Sequence, residues 1–250
     1  MKPTKTFLAA LFLAVSYSIC YSQPVLEWGD VYNTGGIWRG VRGDMTKDKY
    51  GNVFITGKSD SISGNVNIIT LKYRNDGTKE WIRRYDYAGL SDVGQLIKLD
   101  RYGNIYVIGK VTVSAGNEDI IVLKYKPNGD LQWTRRLILV GTPSNQNDYC
   151  TGAVFDVITA DSYMFVGVGM RQPSLWPPVF YHAVFKIDLN TSLFTATLDI
   201  PPVSSTQDRV YNKIAIDALG QVYVVGAGNG SFNGLVIKYT NNLALRWLRL

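Results

Sequence analysis

The apolar positions of this chain fall into short runs separated by turn residues at nearly regular distances. Across residues 94–137 the pattern predicts four strands, Gln95–Leu99, Asn104–Lys110, Asp119–Tyr125 and Leu131–Leu137. The second places Ile105, Val107 and Gly109 on one side and Tyr106 and Ile108 on the other, the period of two of an extended chain. The third is apolar without a break over Ile120–Leu123, as expected of a strand covered on both faces. Asp100-Arg-Tyr-Gly-Asn104 separates the first pair: aspartate can bond its own downstream backbone, and glycine supplies a positive φ. Pro127-Asn128-Gly129 joins the second pair as a tight hairpin. Nothing after residue 22 keeps a 3.6-residue period over three turns, so an all-β chain is expected.

The same pattern repeats. Asp48-Lys-Tyr-Gly-Asn-Val-Phe-Ile-Thr-Gly57 returns as Asp100-Arg-Tyr-Gly-Asn-Ile-Tyr-Val-Ile-Gly109 and as Asp217-Ala-Leu-Gly-Gln-Val-Tyr-Val-Val-Gly226. A worn copy, Asp161-Ser-Tyr-Met-Phe-Val-Gly167, lies between them. A second element follows each head: Ile69-Thr-Leu-Lys-Tyr73 with Trp81, Ile121-Val-Leu-Lys-Tyr125 with Trp133, and Val236-Ile-Lys-Tyr239 with Trp247. In the third copy Val184-Phe-Lys-Ile187 leads to Phe194 instead of tryptophan. The last glycines of the heads, Gly57, Gly109, Gly167 and Gly226, set periods of 52, 58 and 59 residues. Four short strands per unit, repeated, form the signature of a β-propeller with four-stranded antiparallel blades. A lone four-stranded sheet cannot bury both faces, whereas sheets stacked around an axis can. The units run approximately over 39–85, 94–137, 152–198 and 210–250.

These motifs resemble the seven-bladed β-propeller (SBBP) repeat of exported bacterial proteins. The likeness covers about residues 26–250 and is weakest in the third unit, where Asn190-Thr-Ser replaces the glycine turn. It implies a propeller and export, and no common catalytic residues. Leu26-Glu-Trp28 resembles Lys79-Glu-Trp81 without a head before it, so residues 25–32 are expected to form an extra, closing strand. Four blades are present on this reading. The expectation is that they belong to a larger ring, with a four-bladed ring as the competing view.

Composition adds a compartment. Lys2 and Lys5 precede an apolar run from Phe7 to Ile19, and Cys20-Tyr-Ser22 places small residues for cleavage before Gln23. Residues 1–22 are therefore read as a signal peptide and 23–250 as the repeat domain, with no membrane span afterwards. The expected location is secreted or on the outer cell surface, the periplasm remaining open. Loss of Lys2 and Lys5 lowers the net charge from +6 to +4, and the basic residues are scattered, which argues against nucleic acid. The densest pairs, Arg83-Arg84 and Arg135-Arg136, read as solvated strand ends in preference to an anion site.

Candidate chemistry is sparse. His182 is the sole histidine, which leaves zinc without partner histidines. Cys150 is the one cysteine after the signal and reads as a small buried hydrophobe. Asp48, Asp100 and Asp217 recur where a turn wants aspartate, a reading preferred over a ring of cation ligands. Trp81, Trp133 and Trp247 read as packing between blades in preference to sugar stacking. Gly226-Ala-Gly-Asn-Gly230 lacks a following helix and reads as a loop. Gln172-Pro-Ser-Leu-Trp-Pro-Pro178 breaks the repeat, and Trp176 is the one candidate ligand contact.

The expected function is a binding or scaffold module without catalytic activity or cofactor, whose partner is an extracellular protein or glycan. Loops Ser59–Asn67, Thr142–Tyr149 and Gly228–Asn233 are rich in Tyr, Asn and Ser and suit such a surface. Two alternatives stand beside it. One is a quinoprotein-like dehydrogenase, whose Trp-bearing turn Asn128-Gly-Asp-Leu-Gln-Trp133 faintly resembles. The other is a structural spacer in a larger adhesin-like polypeptide.

Overall fold

The computed structural model describes residues 27–30, 43–60, 65–138, 147–155, 162–172, 179–204, 211–227 and 234–249. The signal segment, Trp176 and loop 228–233 lie outside the described residues.

Sixteen strands among the described residues form four antiparallel units. Blade 1 comprises β1 (Met45–Lys47), β2 (Val53–Asp60), β3 (Val66–Tyr73) and β4 (Lys79–Tyr85). Blade 2 comprises β5 (Asp92–Leu99), β6 (Ile105–Ser114), β7 (Asn117–Tyr125) and β8 (Leu131–Leu137). Blade 3 comprises β9 (Asn147–Phe155), β10 (Tyr163–Gln172), β11 (Val179–Asp188) and β12 (Phe194–Ser204). Blade 4 comprises β13 (Tyr211–Ile216), β14 (Val222–Ala227), β15 (Gly234–Tyr239) and β16 (Leu245–Arg249). Within each blade the strands pair in chain order, and one parallel pairing, Glu118 with Asn147, links blade 2 to blade 3. The expected all-β, four-stranded blades are therefore present.

Period-2 alternation decides how the blades stack. Ile121 and Leu123 of β7 join Phe54, Ile68 and Trp81 of blade 1 in one core. Their neighbours Ile120 and Val122 point the other way, into a core with Met164, Val166 and Phe185 of blade 3. Phe165 and Val184 of blade 3 then pack on Val222, Val224 and Ile237 of blade 4. A strand buried on both sides needs no polar face, which explains the unbroken apolar run in β7. The first strand of each later blade leans on the blade before it: β5 against β1, β2 and β3, β9 against β5, β6 and β7, and β13 against β9 and β10. That approach is close enough to require glycine. A Cβ on Gly94 would lie 2.2 Å from Thr56 Oγ1 and 3.0 Å from the backbone of Gly57.

Three expectations change here. Blade 3 is wider than its motifs, with strands of 9–11 residues that run over 147–204. Its counterpart of Gly57 and Gly109 is Val168, not Gly167: these positions face Ile69, Ile121 and Ala183, each three residues before the repeated lysine. The two ends of the expected loop Ser59–Asn67 belong to strands β2 and β3, its residues 61–64 lie outside the described residues, and Ser59, Asp60 and Asn67 are buried. Glu27–Asp30, the described part of the expected closing strand, carry no strand pairing. Trp28 nevertheless stacks on Tyr73 at 5.8 Å and covers the outer core of blade 1.

Candidate functional site

The up-and-down strand order puts the described β1–β2 and β3–β4 type turns of a blade at the same end of its sheet. The first kind is built around aspartate. Asp48 Oδ1 accepts from the backbone N–H of Tyr50 and of Asn52, each at 2.9 Å, and Oδ2 accepts from Asn52 Nδ2 at 2.7 Å. Asp100 repeats these bonds with Tyr102 and Asn104 and also accepts from the Tyr106 hydroxyl at 3.1 Å. Asp217 accepts from Leu219, Gln221 and the Tyr223 hydroxyl, each at 2.9 Å. The glycines that follow, Gly51, Gly103 and Gly220, have φ of 84°, 81° and 73°. Burial pushes the Asp48 carboxyl upward, but the donors from Asn52 and Tyr50 outweigh it and hold the group below the usual carboxylate range. For Asp217 the backbone donor Gln221 leads the lowering. The recurring aspartates are thus turn acceptors, as preferred from sequence.

Each such turn pushes the residue two places after its aspartate into solvent. Tyr50, Tyr102 and Leu219 are 68%, 67% and 72% exposed. Clefts lie among the turns. One of 410 Å³ between blades 1 and 2 is lined by Lys47, Lys49, Tyr50, Arg101 and Tyr102, with Asp48 and Asp100 below. A second, of 310 Å³, uses the other side of Tyr102 with Lys124, Ser162, Leu189 and Asn190. A third, of 740 Å³, lies between Tyr163, Lys186 and Phe194 of blade 3 and Asn242 of blade 4.

The rest of the repeat motif is a joint between blades. Lys72, Lys124, Lys186 and Lys238 each sit over the aromatic ring paired with them on the second strand: Phe54, Tyr106, Phe165 and Tyr223, at 5.5, 5.4, 5.8 and 4.8 Å. Three of these lysines reach the second turn of the next blade. Lys72 donates to Pro127 O at 3.4 Å, Lys124 to Leu189 O at 2.8 Å, and Lys186 to Asn241 Oδ1 at 2.5 Å. Trp81 Nε1 donates to Pro127 O at 3.3 Å, and Arg83 to Gly129 O at 2.7 Å and Asn128 O at 3.2 Å. Arg135 donates to Ser192 Oγ at 2.7 Å. Burial depresses the Lys124 ammonium, with Asp100 and Asp188 opposing that effect.

The expectation that the arginine pairs are solvated strand ends is therefore corrected. Arg83 and Arg135 tie blades together, Arg84 donates to Asp60 O, and Arg136 pairs with Asp119 and the Tyr87 hydroxyl. The signal was present in the sequence as an arginine two residues after each of Trp81, Trp133 and Trp247. Trp81 packs between blades as expected. The turn that faintly resembles a dehydrogenase motif, Asn128–Trp133, is occupied as the receiving half of the first joint. His182 pairs through its backbone with Gly169 and Asp199, and Cys150 with Val168; both side chains lie outside the described set. Among the described residues no three His, Cys, Asp or Glu side chains gather as a metal site.

Repeated four-stranded sheets, stacked face to face and jointed turn by turn, define the protein as an all-β propeller. No family model matches the chain, and no curated protein matches it in sequence. Among solved structures it is similar to a protein of unknown function from Dyadobacter fermentans, at 10% identity and a TM-score of 0.57. That match covers 82% of this chain and 67% of the other. An exo-1,5-alpha-L-arabinanase from a bovine ruminal metagenomic library matches at 11% identity, a TM-score of 0.42, and 82% and 76% coverage. A glucose dehydrogenase matches at 10% identity, a TM-score of 0.29, and 78% and 79% coverage. At such identities the first likeness concerns fold alone, and the other two carry no argument.

Proposed function

We propose that this protein is an exported, non-catalytic propeller of the SBBP-repeat kind that binds an extracellular glycan or protein through its turn face. The observation that supports this reading is the placement of Tyr50, Tyr102 and Leu219, large apolar groups held out in solvent on rigid, hydrogen-bonded turns. Scattered exposed apolar residues are ordinary on protein surfaces, but repetition at one turn position around a shared face makes a binding platform. The carboxylates beside them are consumed as turn acceptors, which leaves recognition as the role of the surface side chains. Among the described residues no helix is long and apolar enough to cross a membrane.

The test uses the full chain expressed with its leader. The released protein is expected to begin at Gln23, to bind on an array of surface glycans or capture an extracellular protein, and to leave glycoside and sugar-oxidation substrates unturned. Steady turnover of any of these substrates, or absence of binding in both formats, overturns the proposal.

A further inference from the structure

The geometry points to a more specific ligand: the cleft between the first two blades is a site for an acidic oligosaccharide. This rests on the glycan arm of the reading above. Its walls are two tyrosines at equivalent turn positions, Tyr50 and Tyr102. Each is fixed at its backbone by an aspartate bond of 2.9 Å, so the rings project from a preorganised base. Exposed aromatic faces suit the apolar faces of sugar rings, which a small anion does not offer. Three cationic side chains line the same cleft: Lys47 and Lys49 from blade 1, and Arg101 from blade 2. Lys49 already lies 5.1 Å over the Tyr50 ring, so charge and aromatic surface converge. Asp48 and Asp100 also line the cleft and offset two of these three charges, which leaves the lining with one net positive charge. Asp100 is 8% exposed, and both Asp48 and Asp100 are turned onto backbone N–H groups.

A ligand with ring faces for the tyrosines and carboxylates for Arg101 and the lysines matches this lining, and a uronic-acid oligomer has both. The volume, 410 Å³, lies within the ~300–1,000 Å³ typical of small-ligand sites. Arginine offers paired donors to a carboxylate, whereas Lys47 and Lys49 act as point charges. Strands on both sides hold the two turns in place, so no large movement is needed for binding.

Calorimetric titration of the full protein with trigalacturonate tests the site, with maltotriose and a short oligothymidylate as comparison ligands. Trigalacturonate is expected to bind, and to bind more weakly as salt rises. Arg101→Gln and Tyr102→Ala are each expected to weaken it about tenfold, the loss of one charge-assisted pair or one stacking face. All changed side chains are exposed, so unaltered thermal unfolding identifies folded variants, and Lys47→Ala/Lys49→Ala gives an independent check. Equal binding of maltotriose overturns the acidic class while leaving a glycan-binding propeller intact. Tighter binding of oligothymidylate, or trigalacturonate binding indifferent to all three variants, overturns the site. No response to any titrant also overturns it, and the array experiment then separates that failure from failure of the wider reading.

Discussion

Among the described carboxylates, Asp92 is the least exposed to water. It is fully buried at the start of β5, accepting from the backbone of Tyr87 at 2.6 Å and Thr112 at 3.3 Å. Burial dominates those donors, with Asp86 adding repulsion, and its pKa is raised to about 6. An acid raised by folding binds its proton more tightly in the native state. Its contribution is complete below the unfolded carboxylate range and is lost as pH climbs through about 6. Asp48 and Asp217 act in the opposite sense, losing their contribution as pH falls below about 4. Stability measured by urea unfolding is therefore expected to rise by up to ~2 kcal/mol from pH 7 to pH 4.5 and to fall in stronger acid. Asp92→Asn should flatten the first limb and leave the second; an unchanged first limb would remove Asp92 from this role. A second single-residue effect is conformational. Ala88 is exposed and held at φ 58°, in the left-handed region. Ala88→Gly is expected to raise the thermal midpoint by a degree or two, since relief of ~1 kcal/mol of strain is partly offset by unfolded-chain entropy.

At the scale of elements, the strands and the Asx turns were legible because each rests on short-range chemistry. Asp100 bonds backbone two and four residues ahead, Gly103 takes φ 81°, and the alternation in β7 sorts Ile120 from Ile121 into different cores. The joints were less legible because they lie between elements 46–65 residues apart in sequence. Arg83 and Arg135 read as solvated strand ends until the neighbouring turn is in place beside them. Blade 3 misled for a local reason: Ser192 supplies the positive φ (60°) that Gly77 and Gly129 supply in blades 1 and 2. The tyrosine cleft was not found either, since Tyr50 and Tyr102 are turn residues in sequence and a shared wall only in space. Trp176, the one ligand contact drawn from sequence, lies outside the described residues. The inner strands show what glycine does at a close approach. Gly94→Ala would drive a methyl group to 2.2 Å from Thr56 Oγ1, against a hydroxyl committed to Ile69 O at 2.9 Å. We expect a loss of ~1–3 kcal/mol, read as a lower urea midpoint with an unchanged slope. Full stability in this variant would mean that β5 and β2 are not in close contact.

Across the whole molecule the joints run in series, each blade gripping the turn of the next. The grip begins before blade 1. Adding a Cβ at Gly77 meets the Trp28 ring at 2.6 Å, as one at Gly129 meets Trp81 at 3.0 Å, so Trp28 does for blade 1 what Trp81 does for blade 2. Asp30 strengthens that contact, accepting from the Tyr73 hydroxyl at 2.8 Å and pairing with Lys79 at 2.6 Å. Units that touch only their neighbours have stabilities that approximately add unit and interface terms. Weakening one joint should then release the shorter arm and spare the longer. Trp81→Ala removes a buried indole from the core shared by blades 1 and 2, together with its bond to Pro127 O. The expected cost is ~3–5 kcal/mol, concentrated at that joint. Native-state hydrogen exchange reads the distribution of the loss. Amides of Ile69 and Leu71 in β3 should lose far more protection than those of Val166 in β10 and Val184 in β11, which lie in the next two cores along the series. An equal loss everywhere would show that the propeller opens as a single cooperative body. The joints would then be contacts within one unit and not links in a chain.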